Sequence, residues 1–118
     1  MDLEKMIEKI KNHPDSSKMG MIASHLGIVR ATSRDGQRVK HIQVSYDLRI
    51  LNIIINNIKK LPGIIEVIAE VNEGQLQVGD EILFVAIGGD IRENVFQALI
   101  QAVDLIKKDA CKKREFLA

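Results

Sequence analysis

Six consecutive apolar residues, Ile82-Leu83-Phe84-Val85-Ala86-Ile87, constrain this chain more than any other feature. The turn-rich segment Asn72 to Asp80 precedes the run, and Gly88-Gly89 ends it. A short continuous apolar run between such breaks reads as a strand buried on both faces. The chain therefore needs apolar surface elsewhere to cover it.

Three amphipathic segments supply that surface. Residues 2–12 predict a leading helix, with Leu3, Met6, Ile7 and Ile10 inward and Glu4, Lys5, Glu8 and Lys9 toward water. The loop His13 to Ser17 ends it. Residues 47–61 predict a second helix, with an apolar stripe of Ile50, Leu51, Ile54, Ile55, Ile58 and Leu61. Pro62-Gly63 stops it. A third is expected from Asp90, as N-cap with Glu93 three residues on, to about residue 108. Its inward residues are expected to be Phe96, Leu99, Val103 and Ile106.

Alternation predicts further strands at 19–30, interrupted by Gly20 and Gly27, at 39–46, and at 64–71. In the last, Ile65, Val67, Ala69 and Val71 are expected to share one face. Thr32 to Arg38, around Asp35-Gly36, predicts a turn or mobile loop. The order α-β-β-α-β-β-α predicts an α+β fold with three helices and a mostly antiparallel or mixed sheet. One domain spanning 1–118 is expected.

Composition narrows the function classes. Aromatic residues are 3% with no Trp, so the core must be aliphatic. A hydrophobic share of 46% against 28% charged residues argues against disorder. The net charge of +1 carries no nucleic-acid signature. No apolar run approaches the roughly 18 residues that span a bilayer, so no membrane role is expected. The N-terminus lacks a signal-peptide core, and the lone Cys111 fits a reducing compartment, which makes the cytoplasm the default. His13, His25 and His41 have no ligand spacing, so no metal site is expected.

Three places could hold an anion. Lys107, Lys108, Lys112, Lys113 and Arg114 cluster near the C-terminus. Alone, such a cluster reads as charge favourable at a helix C-terminus. In a pocket it would bind anions, and a partly desolvated lysine could give up a proton. Gly88-Gly89-Asp90-Ile91-Arg92 leads into a helix N-terminus, where main-chain N–H groups and Arg92 suit phosphate, although a plain strand-to-helix turn has the same pattern. Arg30 closes the first strand beside the loop carrying Arg34 and Arg38, which read as solvated. Cys111 reads as an inert thiol.

The motifs at these places resemble those of the large, catalytic subunit of molybdopterin synthase. Gly20 to Arg30 is similar to that family's first strand, sharing Gly27, Val29 and Arg30, with His25 where Phe is usual. Gly74-Gln-Leu76-Gln-Val-Gly79-Asp80 resembles its Gly-x-Leu-x-x-Gly-Asp segment. Arg92 and Phe96 resemble a His-Arg-x-x-x-Phe helix start, with Ile91 at the His position. Lys107 and Lys113-Arg114-Glu115 resemble the closing lysines, with Lys112 where Trp is usual and a one-residue shorter interval.

The resemblance implies an α/β-hammerhead fold and a homodimer, forming a heterotetramer with a ubiquitin-like sulfur-carrier small subunit. The implied reaction passes sulfur from the carrier's thiocarboxylate to cyclic pyranopterin monophosphate, a pterin phosphate, with no metal or organic cofactor. It implies catalytic roles for Lys107 and Lys113 and substrate binding by Arg30, Arg92 and Arg114. Two alternatives stay open. One is a non-catalytic homologue that binds the carrier or a small anion without turnover, which Ile91 and the shorter interval favour. The other is an unrelated dimeric anion-binding module.

Overall fold

The structure, a computed structural model, describes all 118 residues. The apolar run lies in β5 (Glu81–Gly89), the central strand of a three-stranded antiparallel sheet with β1 (Met21–Ile28) and β3 (Ile64–Val71) on either side. Period-2 alternation explains why every position in it is apolar. Leu83, Val85 and Ile87 face a core shared with α2 (Leu48–Lys59) and α3 (Arg92–Leu105). Phe84 and Ala86 face the opposite way, where α1 (Leu3–Lys11) covers them with Met6 and Ile10. β5 continues through Gly88 and Gly89 instead of ending there, because Gly88 and Gly89 still pair with β1 and β3.

The predicted helices are present, with shifted ends. Asp2 caps α1 by accepting from the Lys5 N–H at 3.1 Å, and Asp47 caps α2 by accepting from Ile50 at 3.1 Å. Leu51, Ile54 and Ile58 form the buried line of α2. The chain then turns at Gly63, whose φ of +78° a side chain would strain. At α3 the cap is Ile91, not Asp90, and Glu93 does not complete a capping box. The Asp90 carboxylate instead accepts from the Ile91 N–H at 2.7 Å and the Asn94 amide at 2.9 Å, which anchors the helix start one residue later. Phe96 was expected inside but is 50% exposed, since the buried line of α3 is Val95, Ala98, Ala102 and Val103.

A second antiparallel sheet, with order β4-β2-β6, contains two strands that periodicity does not predict. β2 (Val39–Tyr46) is central, flanked by β4 (Gly74–Gln77) and β6 (Cys111–Leu117). β4 is four residues inside a turn-rich segment, and β6 is the basic C-terminal stretch. Both are edges, and β6 has almost no buried side chain to leave an apolar signature. Val39, Ile42, Val44 and Leu76 join Val29 in a small core of their own. Val39 and Ile42 share that core despite opposite parity, because the β2–β6 register shifts between Val39 and His41. A similar shift between Ile64 and Glu66 buries Ile64, not the expected Ile65, beside Val67.

Candidate functional site: a basic cleft

The third helix reaches the expected end near residue 108, but not as α-helix throughout. Its α-helical part stops at Leu105, and Ile106–Ala110 form one π turn. Ile106 and Ala110 are buried in the main core and pin both ends of that turn, leaving Lys107 and Lys108 outside. The Ala110 carbonyl accepts from the Asp47 N–H at 2.8 Å, which starts β6 directly beside the end of β2. β6 then pairs Tyr46 with Cys111 and Val44 with Lys113. This geometry brings Lys107 and Lys113 to one cleft of about 790 Å³.

The other wall is the end of β1 and the loop after it. The Asp80 carbonyl accepts from the Val29 N–H at 2.9 Å, and the Val29 carbonyl accepts from Gly79 at 2.8 Å. Arg30 follows at once, its Nε donating to the Thr32 carbonyl at 2.9 Å. The loop is a closed hydrogen-bonded turn. Ser33 is 8% exposed, its hydroxyl bonds the Asp35 carboxylate, and its oxygen accepts from the Gln37 N–H at 3.0 Å. The turn carries Arg34 into the cleft lining, although that residue reads as solvated from sequence, whereas Arg38 stays outside.

Arg30, Arg34, Lys107 and Lys113 line the cleft against Asp35 and Glu115, so positive charge is in excess. None of the four cations has a carboxylate within ion-pair distance. Unneutralised cations lining one concave surface can hold an anion. Three further polar groups join them. Tyr46 lines the cleft, and burial, then the Cys111 thiol and the Glu73 carboxylate, push its hydroxyl well above the usual phenol range. Cys111 is half-buried in the same wall. The third is His25, held below the usual imidazole range by burial and by the Lys107 ammonium. His25, Tyr46 and Arg34 are absent from the residues expected by sequence. Pairing across β1–β5 and β2–β6 places His25 and Tyr46 there, and the hydrogen-bonded turn after Arg30 places Arg34.

The structure separates the five expected residues. Arg30, Lys107 and Lys113 meet at the cleft, but Arg92 and Arg114 do not line it. Arg92 sits at the exposed start of α3, 3.4 Å from Glu93. Arg114 is one position from Lys113, so strand alternation turns it to the other face of β6. There its guanidinium lies 4.8 Å over the Phe116 ring, which stacks on His41 at 4.5 Å.

A family model described as MoaE protein matches residues 1–109. The chain belongs to the MoaE family. The matched span includes Arg30 and Lys107 and ends before Lys113. Among solved structures, the fold is similar to molybdopterin cofactor biosynthesis protein E from Burkholderia multivorans, with a TM-score of 0.78 and 22% identity over 100% of this chain and 82% of that one. Molybdopterin synthase from Staphylococcus aureus aligns with a TM-score of 0.74 and 21% identity, over 86% of this chain and 77% of that one. A complex of subunits 1 and 2 of molybdopterin-converting factor from Helicobacter pylori aligns with a TM-score of 0.72 and 14% identity, over 99% and 80%. No curated protein matches significantly in sequence. At these identities the likeness establishes that the α+β fold, with three helices and antiparallel sheets, is one that MoaE proteins adopt. No helix is long and apolar enough to cross a membrane.

Proposed function

We propose that this MoaE-family chain works in molybdenum cofactor biosynthesis as the large subunit of molybdopterin synthase. In that role it transfers sulfur from a thiocarboxylated ubiquitin-like carrier to cyclic pyranopterin monophosphate. One observation carries the proposal: Arg30, Lys107 and Lys113 come from three separate segments yet line one cleft with no carboxylate partner. Both reactants are anionic, one through its phosphate and the other through its thiocarboxylate, and such a cleft suits both.

The chemistry assigns each group a task. Once the carrier's sulfur is bonded to the pterin, water adds to the carrier's acyl carbon and an oxyanion develops. The acyl C–S bond then breaks, so sulfur stays on the pterin and the carrier leaves as a carboxylate. Lys107 and Lys113 stabilise the oxyanion and donate or accept the protons that move. Arg30, tethered through Nε to Thr32, keeps its remaining N–H groups for the phosphate. The two-subunit composition of the Helicobacter pylori neighbour supports a small-subunit partner for this chain. Arg92 does not line its own cleft, so a substrate-binding role for it requires the homodimer that this reading includes.

The deciding experiment mixes the protein with a thiocarboxylated carrier and the pterin precursor and assays dithiolene product. Product formation is expected. Carrier binding without product would favour the non-turnover homologue, a reading that the positions of Arg92 and Arg114 outside the cleft also favour.

A further inference from the structure

His25 is the one imidazole in the cleft, and nothing in the protein bonds its ring. It projects from β1 opposite Val85, on the strand face it shares with Ala23 and Gly27. Gly27 makes room for the ring. A Cβ there would stand 3.3 Å from the imidazole Cε1, so a larger residue would crowd it. The two ring nitrogens differ. Nδ1 is sealed from solvent and has no hydrogen-bond partner. Nε2 is not sealed, and the cleft is the space this side chain lines.

That asymmetry selects a tautomer. A sealed N–H without an acceptor is among the rarest groups in folded proteins, and an unpaired lone pair is the less costly state. The main-chain carbonyl of His25 itself pulls the other way, by less than burial or Lys107, and falls outside hydrogen-bond geometry. A nitrogen facing an anion held in the cleft must present a proton to it, which points to the same tautomer. We propose that His25 is a neutral substrate-contacting donor whose Nε2–H bonds an anionic oxygen held by Arg30, Lys107 and Lys113. Lysines attract an anion from any direction, whereas a ring fixed on a strand adds one directed bond without adding charge. The proposal rests on the cleft being an anion site, as the proposed function requires.

The test uses the full chain labelled with ¹⁵N and inorganic phosphate as probe. Long-range ¹H–¹⁵N correlation of the free protein at neutral pH is expected to show His25 protonated on Nε2 and bare on Nδ1. The Nε2 resonance should then shift saturably with phosphate. By calorimetry, His25→Phe is expected to weaken phosphate binding about 10-fold, the loss of one hydrogen bond to a charged group. His25→Gln, which keeps an N–H donor, should restore part of it. A proton on Nδ1, or unchanged affinity in His25→Phe, overturns the assignment. If Lys107→Ala still lowers affinity in that case, the anion cleft itself stands. If wild type binds no phosphate, the donor role and the anion cleft both fall. The tautomer is read on the wild-type protein, so the test holds even if a variant fails to fold.

Discussion

At the scale of single residues, neighbours on β6 and on the π turn have opposite fates. Lys107 and Lys113 line the cleft, while Lys108 and Arg114 do not. Lys107→Ala and Lys113→Ala are each expected to lower turnover by about 100-fold or more, the scale of a lost oxyanion or proton-transfer group. The double variant should lose far less than the product of the two, because groups acting on one centre are not additive. Lys108→Ala should be nearly silent. Equal mild losses in all three, relieved at low salt, would reduce the cluster to a diffuse field. His25 also makes a stability prediction. Its folded form resists protonation, so below the ordinary value of 6.5 the unfolded chain binds a proton that the folded chain refuses. Stability from this source is full above that pH and falls as pH drops toward the lowered folded value. Melting temperatures followed from neutral to mildly acidic pH should decline less steeply in His25→Phe than in wild type. Equal slopes would count against a buried, Lys107-facing imidazole.

At the scale of elements, the π turn Ile106–Ala110 decides which basic residues reach the cleft. It ends α3 early, buries Ile106 and Ala110, and delivers β6 in register with β2. Side chains alternate along a strand, so a one-residue slip exchanges its faces. The test inserts one alanine between Ala110 and Cys111, in a chain that also carries Lys112→Ala so that no lysine takes the place of Lys113. The insertion should turn Lys113 and Glu115 outward and bring Arg114 toward the cleft while leaving the buried Ile106 and Ala110 in place. Turnover should fall by about 100-fold or more, as for a lost catalytic group. The melting temperature should change little, because the strand is a mostly exposed edge. Turnover retained after the insertion would mean that the turn absorbs the extra residue and that register does not place Lys113.

At the scale of the whole molecule, two sheets and their helices make an elongated body of 49 × 25 × 24 Å, with apolar side chains left outside. Phe96 and Ile100, four residues apart on α3, are 50% and 62% exposed, and Ile91 before them is 53% exposed. Such a patch on a small chain is suited to a second copy. Sedimentation at micromolar concentration should give the mass of two chains, and Phe96→Asp with Ile100→Asp should return it to one. A single-chain mass for the wild type would remove the dimer, and with it any route for Arg92 into a cleft.

The parts legible in the sequence are those whose burial writes a periodic pattern. α1 and α2 repeat at three and four, and β5 is apolar throughout because it is covered on both sides. The ends of β2 and β3 were also legible, since turn formers bracket them. Burial leaves no comparable mark on β4 and β6, two edge strands held mainly by main-chain hydrogen bonds. Within the site, Arg30 and Lys107 stood out by type and position. Their meeting with Lys113 depends on a π turn and a strand register, which are set by long-range packing of Ile106 and Ala110 and not by local preference. His25 shows the division most clearly. Its sequence offers a lone histidine without ligand spacing, and only the tertiary fold seals one ring nitrogen, leaves the other open and places Lys107 beside it. Sequence alone determined which segments bury apolar surface, because that depends on local periodicity. Tertiary structure decided which polar groups face one another, because that depends on the pairing of residues far apart in the chain.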